Sequence, residues 1–158
     1  MMFKHGWVLM ACVAALVGCQ IREDARSTPL DPEFQALQGH WIMVSSICCG
    51  EEMPSEMVRK ISRQINGNLS IITVEEENGP KQFTGTIHLD AKTQPKSIDI
   101  SLTSGEAKGN TVLGIYEIKG DQVRMCFSTV GKPRPKEFSS TPGSEQRLVI
   151  WKRLPVAK

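Results

Sequence analysis

From Trp41 to Arg153 the chain repeats one device: a short segment in which apolar residues recur at every second position, then a cluster of Gly, Pro, Asn or Asp. A period of two places alternate side chains on one face, which is the signature of a strand with one face buried. Eight such segments occur, over residues 41–47, 61–65, 69–74, 83–89, 98–102, 112–118, 123–127 and 148–153. Within them Phe83, Gly85, Ile87 and Leu89 share a face, and Val123, Met125 and Phe127 lie opposite Arg124 and Cys126. Asn66-Gly67, Glu75 to Pro80, Asp90 to Lys96 and Lys119-Gly120-Asp121 are turn signals, the first a strong hairpin cue. Most connections are short enough for antiparallel neighbours. Only residues 131–143, with Pro133, Pro135 and Pro142, make a long link without a strand of its own. Eight meandering strands leave two raw edges unless the sheet closes, so the pattern predicts an all-β, eight-stranded antiparallel barrel.

Helix is nearly absent. Asp31-Pro32-Glu33 is a helix start, with Asp31 as N-cap, Pro32 at the first helical position and Glu33 at the positive end of the dipole. Phe34 and Leu37 fall on one face, and Gly39 is placed to supply a left-handed residue after the helix. Residues 53–59 are read as a second short helix after a polar turn, residues 50–56, in which Pro54 interrupts any ladder.

The beginning of the chain reads as an address. Lys4 precedes a largely apolar run over residues 6–18, too short to span a bilayer as a helix but suited to a signal peptide. The run ends in Leu16-Val17-Gly18-Cys19, which looks like a bacterial lipobox, with Cys19 as the acylated residue. The expected organisation is a lipoprotein signal peptide over residues 1–18, a polar tether over 19–30 and one barrel domain over 31–158. Acyl chains on Cys19 would anchor the protein to a membrane. Gln20, a non-acidic residue after the cysteine, favours by resemblance to Gram-negative lipoproteins the outer membrane, facing the periplasm.

Charge narrows the partners. Nineteen Lys and Arg against seventeen Asp and Glu leave no basic excess or stripe for nucleic acid. Beyond Cys19, the domain holds Cys48, Cys49 and Cys126, an odd number. The adjacent pair admits a vicinal disulfide, a redox device or a metal site; the plainer readings are a bridge from one of them to Cys126, or three packing residues. No Cys-x-x-Cys occurs and no His adjoins the pair, so no metal site is expected.

Two features at opposite ends of the domain carry a resemblance. Gly39-His40-Trp41 opens the first strand and Trp151-Lys152-Arg153 closes the last, which is similar to the lipocalin (calycin) pattern of a G-x-W tryptophan capped by a late arginine. That pattern implies that Trp41 plugs the barrel end while Arg153, or Lys152, packs over it. Further runs resemble a lipocalin-like domain abundant in planctomycete bacteria: Leu37 to Trp41, Pro95 to Asp99, Leu113 to Glu117, Gly120-Asp121 and Arg134 to Phe138. Chains of that family are often secreted or lipid-anchored and have no established biochemical function, so the resemblance implies a fold and little chemistry.

Reactive constellations are few. His40 and His88 point away from the apolar faces of their strands, no G-x-S-x-G elbow or phosphate-cradling loop is present, and Asp99 and Glu117 are lone strand acids. No catalysis and no cofactor are expected. The expected role is a binding protein of the cell envelope that holds a small apolar or amphipathic ligand in its barrel. Phe83, Tyr116, Met125 and Phe127 are the candidate ligand contacts, among inward residues that include Ile87, Ile98 and Ile100. The alternative is a protein-interaction module, for example a barrel-type inhibitor, acting through its loops on an envelope partner. Its candidate surface is Lys132, Arg134 and Lys136 on the proline-stiffened residues 131–143, a segment that otherwise pins Phe138 into the barrel mouth.

Overall fold

A computed structural model describes residues 31–155. The signal segment, Cys19 and the tether lie outside the described residues. Helix α1 (Pro32–Leu37) precedes nine strands, β1 (Gly39–Cys48), β2 (Glu51–Glu52), β3 (Ile61–Asn66), β4 (Leu69–Glu76), β5 (Gly79–Asp90), β6 (Ser97–Leu102), β7 (Thr111–Lys119), β8 (Gln122–Ser128) and β9 (Gln146–Arg153), with helix α2 (Ser55–Val58) between β2 and β3. From β3 to β9 each strand pairs antiparallel with the next, and β1 pairs with both β3 and β9, which closes β1 and β3 to β9 into an eight-stranded barrel. The ninth strand, β2, is a two-residue addition hydrogen-bonded to the end of β1.

Inward positions follow the period-two pattern, with one phase correction. Between Met43 and Ser45 the β1–β9 register slips by one residue, and Val44 is the extra one. The bulge keeps Ser46 and Cys48 on the same inner face as Trp41 and Met43, opposite Val149 and Arg147 of β9. Without it the second half of β1 would turn its inner residues to solvent.

The two ends of the barrel are built differently. At the base lie α1 and the short turns β3–β4, β5–β6 and β7–β8; at the mouth lie Cys49-Gly50, the β4–β5 turn, residues 103–110 and the long connection 129–145. Asp31 caps α1, its carboxylate accepting the Glu33 N–H at 2.8 Å. Gln38, in extended conformation, caps the helix, and Gly39 follows it with the positive φ read from the sequence. Gly39 also starts β1, at φ +111°, and a Cβ there would stand 3.3 Å from the Arg153 guanidinium. The Gln38 side chain joins α1 to the β3–β4 turn, accepting the Gly67 N–H at 2.7 Å and donating to the Gly67 carbonyl at 3.0 Å.

Two further differences from the sequence reading have simple causes. The region from Glu75 to Pro80 is mostly strand: β4 and β5 pair out to Glu76 and Gly79 as a ribbon exposed on both faces, where no buried side imposes alternation. Residues 50–56 contain β2, formed because Cys49 (φ 54°) and Gly50 (φ 86°) both adopt positive φ and fold a two-residue hairpin turn.

Candidate functional site

Inside the mouth half of the barrel is a cavity of about 440 Å³, a size that suits a small-molecule ligand. Its floor is Met43, Arg63 and Trp151; its walls include Ile72, Phe83, Ile100, Leu102, Val112 and Phe127. Around the rim stand Cys48, Ala107, Val130, Glu145 and Arg147. Gly114 lets one wall pack closely: the Phe127 ring lies against it, and a Cβ at that position would meet the ring at 2.4 Å.

Among the residues expected to contact a ligand, the structure brings Phe83 and Phe127 to the cavity and leaves Tyr116 and Met125 off its lining. Tyr116 is 1% exposed and belongs to the base, where its hydroxyl donates to Glu33 of α1 at 3.0 Å. Lys96 meets the other carboxylate oxygen of Glu33 at 2.5 Å. Burial, with the Glu33 contact adding to it, pushes the Tyr116 phenol well above the usual tyrosine range. Met125 is fully buried beneath the cavity, its sulfur accepting from Arg63 at 3.0 Å. Strand alternation put all four side chains inside correctly; it carried no information about how far down the barrel each one sits.

Trp41 and Arg153 meet at the base. They are register partners on β1 and β9, and the guanidinium carbon lies 4.1 Å from the centroid of the indole. Arg153 donates to the carbonyls of Gln38 and Ala36, and the indole N–H donates to Leu37 at 2.9 Å, so the pair also fastens α1 across the opening. Lys152, the other candidate for that position, points outward toward Asp121 at 3.9 Å.

The long connection after β8 does not offer a free row of cations. Arg134 donates to Asp99 at 2.5 Å and to the Gly114 carbonyl at 2.7 Å, Lys132 pairs with Glu145 at 2.8 Å, and Lys136 is exposed. Phe138 is not pinned into the mouth; it packs under Arg124, 4.0 Å from the ring centroid, on the outer face of β8. The same loop covers Cys126, whose thiol donates to the Ser139 carbonyl at 3.2 Å.

Nothing among the described residues gathers a nucleophile and a base. Cys48 and Cys49 are free thiols with sulfurs 3.8 Å apart at the rim. Contact with Cys48, then burial, pushes the Cys49 thiol up, and burial pushes up Cys126, so neither gains the thiolate character that nucleophilic chemistry needs. His40 sits eight residues from Cys48 along β1, roughly 26 Å at the rise of an extended strand. Asp99 and Glu117 are each engaged by cations, Asp99 by Arg134 and Glu117 by Arg124 at 2.6 Å and Lys119 at 3.1 Å. Partial burial raises the Glu117 carboxyl, but the two cations outweigh it and hold it below the usual carboxylate range. Among the described residues no three His, Cys, Asp or Glu side chains group to hold a metal ion.

The residue that the sequence reading passed over is Arg63. It lines the cavity floor, is 2% exposed, and has no acidic partner among the described residues. Its Nε donates to Ser70 at 2.9 Å, one terminal nitrogen reaches Met125, and its guanidinium carbon lies 5.7 Å from the centroid of the Trp151 ring. The other terminal nitrogen is buried without a hydrogen-bond partner, as is the indole nitrogen of Trp151. Desolvation pulls the guanidinium down to about 10, which still leaves it charged at neutral pH. A signal was available: Ile61, Arg63 and Ile65 alternate, which places an arginine on the buried face between two isoleucines.

No family model matches the chain, and no curated protein matches it. A crystal structure of a lipocalin-like protein from Bacteroides uniformis is similar over 75% of this chain and 99% of its own, with a TM-score of 0.51 and 13% identity. An uncharacterized protein from Bacteroides eggerthii matches over 73% of this chain and 98% of its own, with a TM-score of 0.45 and 13% identity. The first likeness agrees with the closed antiparallel barrel and gives the chain a lipocalin-like fold.

Proposed function

We propose that this chain is a noncatalytic binding protein of the cell envelope, holding a small apolar or amphipathic ligand within the barrel. One observation carries the reading: the mouth half of the barrel is hollow, with apolar walls, whereas a barrel of this strand number can be filled by its own side chains. The alternative, a module that binds a protein partner through residues 131–143, draws no comparable support, because Arg134 and Lys132 are already engaged within the fold.

An apolar fluorescent probe should bind the folded protein at one equivalent. Val112→Trp, which places an indole at the cavity wall, should abolish that binding while the protein stays folded. Absence of probe binding to the wild-type chain would reject the reading.

The proposal includes a lipid anchor at Cys19 and a place with the planctomycete lipocalin-like domains. Its support is the apolar run ending in Leu16-Val17-Gly18-Cys19 and the ordered runs from Leu37 to Phe138. Cys19→Ala should yield an unprocessed precursor or a form released from membranes; a variant processed and retained like the wild type would remove the anchor.

A further inference from the structure

We infer that the ligand is a monoanionic amphiphile, bound head-down, with a carboxylate at Arg63 on the cavity floor and its apolar body directed toward the mouth. The inference rests on the ligand-binding reading above and specifies the chemistry of that same site.

Buried polar groups in folded proteins almost always have hydrogen-bond partners, so a buried orphan calls for an explanation. Two orphans belong to neighbouring residues on this floor, a terminal nitrogen of Arg63 and the indole nitrogen of Trp151. Both are donors with no acceptor capacity, so the missing group must accept hydrogen bonds. Charge calls for the same group. Arg63 is buried without a carboxylate, and a cation taken out of water without a counter-charge is costly. A carboxylate supplies two acceptor oxygens and the missing negative charge together, in the planar geometry that a guanidinium matches.

The surroundings fix the rest of the molecule. Ile72, Phe83, Ile100, Leu102, Val112 and Phe127 form the walls above the floor, so the remainder of the ligand must be apolar. The other charged side chains facing the cavity are both at the rim: Glu145, which is paired with Lys132 at 2.8 Å, and the exposed Arg147. No lining acid therefore competes with the ligand for Arg63. A water molecule on the floor could accept from the same nitrogens, but it would supply no charge and confer no preference among head groups.

The test compares dodecanoate with dodecanol by titration calorimetry on the full-length chain. We expect dodecanoate to bind at least tenfold more tightly than dodecanol, and that preference to persist in 1 M salt, because a buried ion pair is little screened. Arg63→Met should still bind dodecanol while losing the preference, and Arg147→Met should keep it. Equal affinity of the wild type for both ligands overturns the inference and leaves the barrel-binding reading intact. A preference that salt erases, or that disappears with Arg147→Met, puts the carboxylate at the rim and also overturns it. Binding of neither ligand removes both readings. Should Arg63→Met fail to fold, the wild-type comparison and its salt dependence decide without it.

Discussion

Base and mouth of this barrel are made from the same strands, yet one is packed solid and the other encloses a cavity of about 440 Å³. Along β7 the inward residues are Val112, Gly114 and then Tyr116; along β5 they pass from Gly85 to Ile87. At the base Trp41, Tyr116, Leu37 and Ile98 are essentially inaccessible, and Arg153 lies over Trp41 as a lid. Toward the mouth the inward glycines let neighbouring side chains close in, Phe127 against Gly114 and Ile100 against Gly85, and the open space lies between these walls. The difference shows how a barrel of fixed strand number can be both stable and hollow. At the base the bulk meets across the barrel and holds the fold, while in the mouth half the facing walls stay apart. Arg63 lies at the boundary, touching Met125 below and facing the cavity residues Ser70 and Trp151.

The largest test of this contrast is at the base. Trp41→Ala removes an indole that is 1% exposed, together with its hydrogen bond to Leu37 and its stacking with Arg153. Denaturant unfolding should show a loss of about 3–5 kcal/mol. A loss under about 1 kcal/mol would mean that the base is not what holds the barrel closed.

A smaller effect concerns how α1 is attached. Tyr116→Phe removes the hydrogen bond to Glu33 and should cost about 1–2 kcal/mol at neutral pH. The phenol is raised in the folded state, so its contribution is fully present below the unfolded value near 10 and is lost as pH rises beyond it, where the unfolded chain ionises and the folded one does not. Stability measured from pH 8 to 11.5 should therefore fall more steeply for the wild type than for Tyr116→Phe, and the gap between them should narrow. Arg63 acts in the opposite direction over this range, because its lowered value makes stability rise with pH, but it is present in both proteins and cancels in the difference. Parallel curves would show that Tyr116 is not buried against Glu33.

The smallest effect belongs to the mouth. Val112→Ala trims a wall that already borders empty space, so it should cost less than about 1 kcal/mol while enlarging the cavity for a probe. A cost near that of Trp41→Ala would erase the distinction between the two ends.

Much of the architecture was legible because its causes are local. Period two placed all eight barrel strands, and the Asp31-Pro32-Glu33 start placed α1. The exposed β4–β5 ribbon was not legible, since a strand wet on both faces carries no alternation. Nor was the hairpin at Cys49-Gly50, which needs a positive φ that cysteine seldom adopts.

What the sequence determined alone, then, was which side chains face inward: Phe83, Tyr116, Met125 and Phe127 are assigned by alternation within single strands, and Trp41 and Arg153 by a motif at each end. What the tertiary structure decided was their height in the barrel and their neighbours. Pairing register, the bulge at Val44 and closure of β1 on β9 placed Tyr116 against Glu33, Met125 beneath Arg63, and Phe83 and Phe127 around the cavity. Alternation is a property of one strand's pleat, whereas a cavity is defined by the alignment of many strands whose contacts are distant in sequence.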